Sequence, residues 1–294
     1  MTIRLRRSVL YMPGSNARAI EKARTLPADA IILDLEDAVA PDAKEAARQQ
    51  VVAAVKAGGF GRREVLVRIN GTESPWFADD LSAAAHASPD GVVIPKVNSP
   101  DQLEAVGARL LDMGIDQRTR VWAMIETPIA LFNIVALAAK ARDSESRLAG
   151  FVLGTNDLAL ETRARIVPGR APMVPWLMSC VAAAHAYGID VLDGVFNDLG
   201  NGAGFRAECL QGRDMGFDGK TLIHPSQIGP CNDTFSPQPE EVDAARRMIA
   251  AFDLPENHAK GVVRVDGRMV ERMHADMARR LVAIADAISQ SGSA

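Results

Sequence analysis

Long apolar runs are missing from this chain. No stretch approaches the roughly 18 consecutive apolar residues that cross a bilayer, so no membrane span is expected. Cysteine is scarce: Cys180, Cys209 and Cys231 are odd in number and widely spaced. That excludes a disulfide framework or a zinc knuckle and reads as reduced, buried thiols. A cationic excess is absent as well, since 33 Lys and Arg face 37 Asp and Glu. A nucleic-acid partner is therefore not expected, because such binding depends on a basic surface neutralising phosphates. Neither a GxGxxG after the first strand nor a Walker A sequence is present, which removes the dinucleotide and P-loop fingerprints. The opening MTIRLRRSVLYMPGS is basic, but its apolar stretch is too short for a signal peptide, so a cytoplasmic location is expected.

The 294 residues are 48% hydrophobic and 24% charged, enough to bury a sizeable core. The length suits two domains or one α/β barrel of about 250 residues with an appendage. Charge is uneven. Residues 1 to 24 carry six basic side chains against Glu21 alone, leaving the rest of the chain strongly acidic. A basic segment of this kind can hold a small polyanion such as a phosphorylated cofactor; the plain alternative is a solvated basic surface.

Eight short apolar, β-branched runs recur: SVLYM (8–12), AIILDL (30–35), VLVRI (65–69), GVVIP (91–95), VWAMI (121–125), GFVLG (150–154), IDVLDGV (189–195) and GKTLIH (219–224). Helical stretches between them are expected at 15–26, 42–57, 100–113, 128–141, 172–187 and 203–215. Ionisable residues close the runs: Asp34 with Glu36 and Asp37, then Arg68, Lys96, Glu126, Asp157, Asp193 and His224. Their spacing of 28 to 36 residues is that of one strand, turn and helix. Groups delivered at this period converge only when the sheet closes on itself, so the pattern predicts a (β/α)8 TIM barrel with these residues around one mouth. The barrel is expected over 1–228. A Pro-rich connection then leads into a C-terminal helical extension, 229–294, that can act as a lid or pack on another subunit. Within it Met269, Val270, Met273, Met277, Leu281 and Ile284 recur three or four apart, the spacing of a buried stripe.

Glu126 and Asp157 follow adjacent strands and have no His or Cys companions nearby. Two carboxylates with water suit Mg2+, which keeps an incomplete protein shell. Glu36 and Asp37 are placed to hold metal-bound waters. A glycosidase pair is the competing chemistry, weakened by an aromatic content of only 5%. A purely structural pair, salt-bridged to Arg68 and Lys96, is the bland one. Arg68 offers a planar fork that matches a substrate carboxylate. Beside a divalent cation it points to a 2-oxo or 2-hydroxy acid and to cleavage of the neighbouring carbon–carbon bond. His224, before Pro225, suits turn shaping as well as catalysis, and DLGNGAG (198–204) reads as a tight turn before a helix.

Eight ordered motifs then carry a resemblance nearly end to end: RRSVLYMPGSN (6–16), ILDLEDAV (32–39), VRIN (67–70), PKV (95–97), IETPIAL (125–131), GTNDLA (154–159), GKTLIHPSQI (219–228) and DGRMVE (266–271). The chain resembles the citrate lyase β-subunit-like family of the HpcH/HpaI aldolase superfamily, which includes malyl-CoA and citramalyl-CoA lyases. The resemblance implies a Mg2+-dependent carbon–carbon lyase that splits a 3-hydroxyacyl-CoA ester into an oxo acid and an acyl-CoA. Its CoA ester is a substrate, not a prosthetic group. Glu126 and Asp157 look like the magnesium ligands and Arg68 like the carboxylate clamp. Tyr11, Arg18, Lys22 and the backbone at Ile223 and His224 fall where the family meets the CoA ester. The resemblance also implies a homo-oligomer, trimer or hexamer, whose lid reaches a neighbour's active site. There the family usually carries an acid/base Asp, and this chain has Glu271. The GTND loop likewise has Asn156 where an acid is common. Two further readings stand beside the lyase: a citrate lyase β subunit working on a carrier-protein thioester, and a catalytically silent CoA-ester-binding homologue.

Overall fold

The computed structural model describes residues 3–292. The eight apolar runs all form strands: β1 (Ser8–Pro13), β2 (Ala30–Asp34), β3 (Glu64–Arg68), β4 (Gly91–Ile94), β5 (Arg120–Ile125), β6 (Leu148–Leu153), β7 (Asp190–Asp193) and β8 (Gly219–Leu222). Each pairs in parallel with the next, and β8 returns to β1 through Val9 opposite Thr221, closing the barrel. Strands covered on both faces have no solvated side, hence near-continuous Val, Ile and Leu in place of alternation. Inside the barrel Val9, Ile32, Leu66, Trp122, Met124 and Val152 share one buried cluster. Trp122 fits because its partner on β6 is Gly150, where a Cβ would overlap the indole ring. At the opposite end from the strand termini that carry the site, the Arg6 guanidinium lies 4.9 Å from that ring and is held by Glu64 and Asp190.

Helices also form outside the expected stretches, at Phe77–His86, Thr155–Thr162 and, within the Pro-rich connection, Ile228–Phe235. The stretch 128–141, expected as one helix, breaks at Asn133 into Pro128–Phe132 and Ile134–Ala139, and the Asn133 amide donates to the Asn98 carbonyl at 2.8 Å. Among the described residues no helix is long and apolar enough to cross a membrane.

Two compact units emerge. One is Arg6–Asn232; the other comprises residues 233–292 with residues 3–5. In the second unit the helix Pro239–Asp253 packs on the helix Arg272–Gly292, beside a hairpin of β9 (Val262–Val265) and β10 (Arg268–Glu271). The hairpin turns at Asp266 and Gly267, both with positive φ, as a tight two-residue connection requires. The expected apolar stripe is only partly realised. Met269, Met273 and Met277 are exposed, while Val270, Ala275 and Ala278 are buried. Small alanines on the inner face let the two helices approach closely, and the longer methionines are left on the outside.

Asp193 lies opposite Lys220 in the β7–β8 register, and both are fully buried. The Lys220 ammonium donates to Asp193 Oδ2 at 2.9 Å and Glu208 Oε1 at 2.7 Å, while Arg170 Nη1 donates to Asp193 Oδ1 at 2.6 Å. The strand-end carboxylate of β7 is therefore locked in a balanced ionic cluster. Removing one cation strands buried charge, so Lys220→Met is expected to cost about 3–5 kcal/mol. Thermal unfolding followed by circular dichroism should show a melting temperature lower by on the order of 10 °C.

Candidate active site at the carboxyl mouth of the barrel

The β2–β3 register sets Asp34 opposite Arg68. Arg68 Nε and Nη2 donate to the two Asp34 oxygens at 2.7 and 2.6 Å, a two-pronged pairing. The same carboxylate accepts the backbone N–H groups of Glu36 and Ala38, which ties down the turn after β2. Arg68 Nη1 lies 2.8 Å from Glu36 Oε2 and 3.7 Å from both Asp37 Oδ2 and Met124 Sδ. The Tyr11 ring stands 4.9 Å from the guanidinium carbon. Burial opposes the charge on Arg68, yet Asp34, Tyr11 and Glu36 outweigh it and hold the group firmly protonated.

Glu126 directly follows β5 and is 1% exposed. Its Oε1 accepts the backbone N–H of Lys96 at 2.7 Å, an orientation made by the left-handed backbone of Lys96, φ 53°. The Lys96 ammonium reaches Glu36 Oε1 at 2.8 Å. One residue thus grips two carboxylates, one by its main chain and one by its side chain. Gly154 makes room for Glu126, since a Cβ there would overlap the carboxylate stem and Oε2. Burial, then the charges of Glu36 and Asp157, push the Glu126 carboxyl up to about 8. Asp157 sits half-buried in the first turn of the helix Thr155–Thr162, where the helix dipole favours an anion.

Above these groups is a cavity of about 420 Å3 bordered by Tyr11, Asp37, Arg68, Met124, Asp157 and Ile223, among others. A neighbouring cavity of about 540 Å3 is bordered by Glu36 and Lys96, with Asp37 on both. The structure therefore brings together Tyr11, Asp37, Arg68, Asp157 and Ile223, with Glu126 behind Gly154 and Glu36 behind Arg68. Arg18 and Lys22 are exposed on the helix Ala17–Ala23 and do not border the cavity. His224 Nδ1 is 2.8 Å from Ser226 Oγ and caps the turn Pro225–Gln227, so its side chain shapes that turn. Glu271 is exposed at the end of β10, in the other compact unit. Arg68 and Lys96 are indeed salt-bridged, but to Asp34 and Glu36; Glu126 takes only a main-chain donor. Sequence reasoning named Asp34 as a strand-end charge without a task and weighed Lys96 only as a salt-bridge partner of Glu126 and Asp157. It missed Met124, and the pairing of Asn156 with Asn197.

Among the described residues no three His, Cys, Asp or Glu side chains form a closed metal cage. Two oxygen donors beside a cavity suit a hard cation that keeps most of its water. Glu126 carries the supporting observation: it is a buried carboxylate repelled by Glu36 and Asp157 that, among the described residues, is in no side-chain salt bridge.

The architecture is that of the (β/α)8 barrel enzymes, with ionisable groups gathered at the carboxyl ends of the strands. More narrowly, the chain belongs to the HpcH/HpaI aldolase/citrate lyase family, which matches residues 7–225. It is 48% identical over 283 residues to a (3S)-malyl-CoA thioesterase of Cereibacter sphaeroides (strain KD131 / KCTC 12085), covering 96% of this chain and 95% of that one. It is 33% identical to the citrate lyase subunit beta of Escherichia coli (strain K12), over 96% of this chain and 94% of the other. The crystal structure of CitE from Mycobacterium tuberculosis in complex with magnesium, acetoacetate and coenzyme A matches with a TM-score of 0.74 at 28% identity, over 94% of this chain and 97% of that one.

Proposed function

We propose that the chain is a Mg2+-dependent thioesterase acting on short 3-hydroxyacyl-CoA esters of the malyl-CoA type, releasing the free hydroxy acid and CoA. The observation that carries this reading is the convergence of Glu126, Asp157 and Arg68 at one barrel mouth. The identity to malyl-CoA thioesterases supports hydrolysis as the outcome. Glu126 and Asp157 would hold the cation, which when bound supplies Lewis-acid polarisation of a substrate oxygen. Glu36 and Asp37 would orient water around it. Arg68, fixed by Asp34 through Nε and Nη2, would exchange the Glu36 contact of its Nη1 for the substrate carboxylate. Tyr11 and Ile223 bound the space for the thioester, and Arg18 and Lys22 provide positive charge outside the cavity for the CoA phosphates. Hydrolysis adds water across the thioester carbonyl, breaks the C–S bond and returns one proton to the departing thiolate. As part of the same proposal, Glu271 comes from the lid of a second copy in a homo-oligomer.

Carbon–carbon cleavage is the second reading. The same groups favour it, since an arginine facing a cation-anchored hydroxy acid also serves an aldolase-type step. Incubating the protein with malyl-CoA and Mg2+ and separating the products by mass spectrometry decides between them. Malate with free CoA is the expected result, lost on adding EDTA. Glyoxylate with acetyl-CoA would replace hydrolysis by lyase chemistry, and turnover only of a carrier-bound citryl thioester would favour the citrate lyase role. Tight binding without products would mark a silent homologue.

A further inference from the structure

The Glu36 carboxylate stands between the two cavities of the barrel mouth. Glu36 borders the 540 Å3 cavity together with Lys96, while Arg68 borders the 420 Å3 one. Three carboxylates crowd the Arg68 guanidinium, and they are held very unequally. Asp34 takes two aligned donors from Arg68, at 2.7 and 2.6 Å, and also accepts the main-chain N–H groups of Glu36 and Ala38. Asp37 Oδ2 lies 3.7 Å from Nη1 on a largely exposed side chain. Glu36 Oε2 is 2.8 Å from Nη1, yet among the described residues it has no hydrogen-bond partner, so the contact is a charge pair without alignment. The other Glu36 oxygen accepts the Lys96 ammonium at 2.8 Å, and Lys96 is exposed. The Glu36 main chain is pinned on both sides: its N–H donates to Asp34 Oδ1 at 2.9 Å, and its carbonyl accepts Lys44 Nζ at 2.7 Å. Rotation of the side chain alone can therefore move this carboxylate.

Resting on the reading that Arg68 receives a substrate carboxylate, we infer that Glu36 is a built-in competitor for Nη1. An arriving carboxylate displaces it toward Lys96 and the 540 Å3 cavity, and Glu36 thereby sets the selectivity for ligands that carry one. A fourth carboxylate cannot join three around one guanidinium unless one leaves, because like charges repel strongly in a poorly solvated space. Asp34 would give up four donors and Glu36 a single unaligned contact, so Glu36 is the one to leave. Lys96 keeps the displaced charge paired. A ligand without a carboxylate leaves Glu36 in place, and the buried guanidinium keeps its partners. Glu36 therefore weakens the binding of carboxylate ligands and has little effect on others, holding selectivity below what Arg68 and Asp34 alone would give.

The test measures Kd by calorimetry, in saturating Mg2+, for thioether analogues of malyl-CoA and 3-hydroxybutyryl-CoA in which methylene replaces the thioester carbonyl. The two differ by a carboxylate against a methyl, and neither hydrolysis nor carbon–carbon cleavage consumes them. Glu36→Gln should tighten the malyl analogue about tenfold and keep the hydroxybutyryl analogue within about threefold of wild type. Lys96→Met removes the partner of the displaced carboxylate. It should weaken the malyl analogue about tenfold alone but less than about threefold in the E36Q background, because coupled residues are not additive. A general charge effect or a purely structural role would make the two changes additive. Retained binding of the hydroxybutyryl analogue shows that each variant folds, and if K96M does not fold, the two E36Q constants decide by themselves. Three outcomes overturn the inference: E36Q weakening the malyl analogue, E36Q tightening both analogues alike, or K96M acting equally in both backgrounds. If neither wild type nor E36Q prefers the malyl analogue, the carboxylate clamp falls and the inference with it. A wild-type preference that E36Q leaves unchanged removes the inference alone.

Discussion

Glu126→Gln is expected to lower kcat/KM at least about a thousandfold and to abolish the calorimetric signal of Mg2+ binding. Glutamine preserves the volume behind Gly154 and still offers an oxygen to the Lys96 N–H, so the local fold has no reason to change. What it removes is the one negative charge that a cation needs there, and several kcal/mol of transition-state stabilisation from a metal correspond to at least three orders of magnitude in rate. The substitution also has an opposite effect on folding. Glu126 is a buried acid crowded by Glu36 and Asp157, so above pH 8 and without metal its charge strains the native state. E126Q should therefore melt higher than wild type at pH 9 in EDTA, and lower than wild type once Mg2+ is saturating. A variant that titrates Mg2+ like the wild type would remove Glu126 from the cation site.

The barrel was legible because period and strand-end chemistry agree: eight β-branched runs, seven of them closed by ionisable residues spaced 28 to 36 apart, have few open-sheet explanations. The position of the mouth was legible for the same reason. What those charges do to one another was not. Asp193 belongs to the same periodic series as Glu126, yet register places it against Lys220 and it becomes structural, while Glu126 is held by a main-chain donor and, among the described residues, joins no salt bridge. Nothing in the spacing separates the two fates, because they depend on which neighbour a cross-strand register presents. Arg68 is similar. Its place at the site was visible, but Nε and Nη2 are taken by Asp34, a cross-strand neighbour, and Nη1 meets Glu36, pairings that spacing does not announce. The left-handed Lys96 escaped notice because lysine gives no local sign of positive φ; the constraint comes from the Glu126 and Glu36 carboxylates that it joins. In the second unit, spacing alone suggested that the methionines face inward. The alanines between them satisfy the same period and permit closer helix packing.

Magnesium affinity should rise about tenfold per pH unit below pH 8 and level off above it, roughly a thousandfold between pH 5 and pH 8. In the metal-free protein the Glu126 carboxyl sits at about 8, raised from an ordinary value of 4.5 by burial and then by Glu36 and Asp157. Between those values the native state binds a proton that the unfolded chain has released. Native stability without metal therefore falls as pH climbs through this window, the reverse of the usual acid-denaturation slope. A cation needs the carboxylate, so binding below pH 8 must expel that proton, and the expelled proton is the source of the slope. Calorimetry in buffers of different ionisation enthalpy measures it directly: close to one proton released per Mg2+ at pH 6 and close to none at pH 9. E126Q should show neither the release nor the slope. An affinity that is flat from pH 5 to pH 8 would mean that the cation is held by groups already ionised, and the burial of Glu126 would then have no part in setting when the site can load.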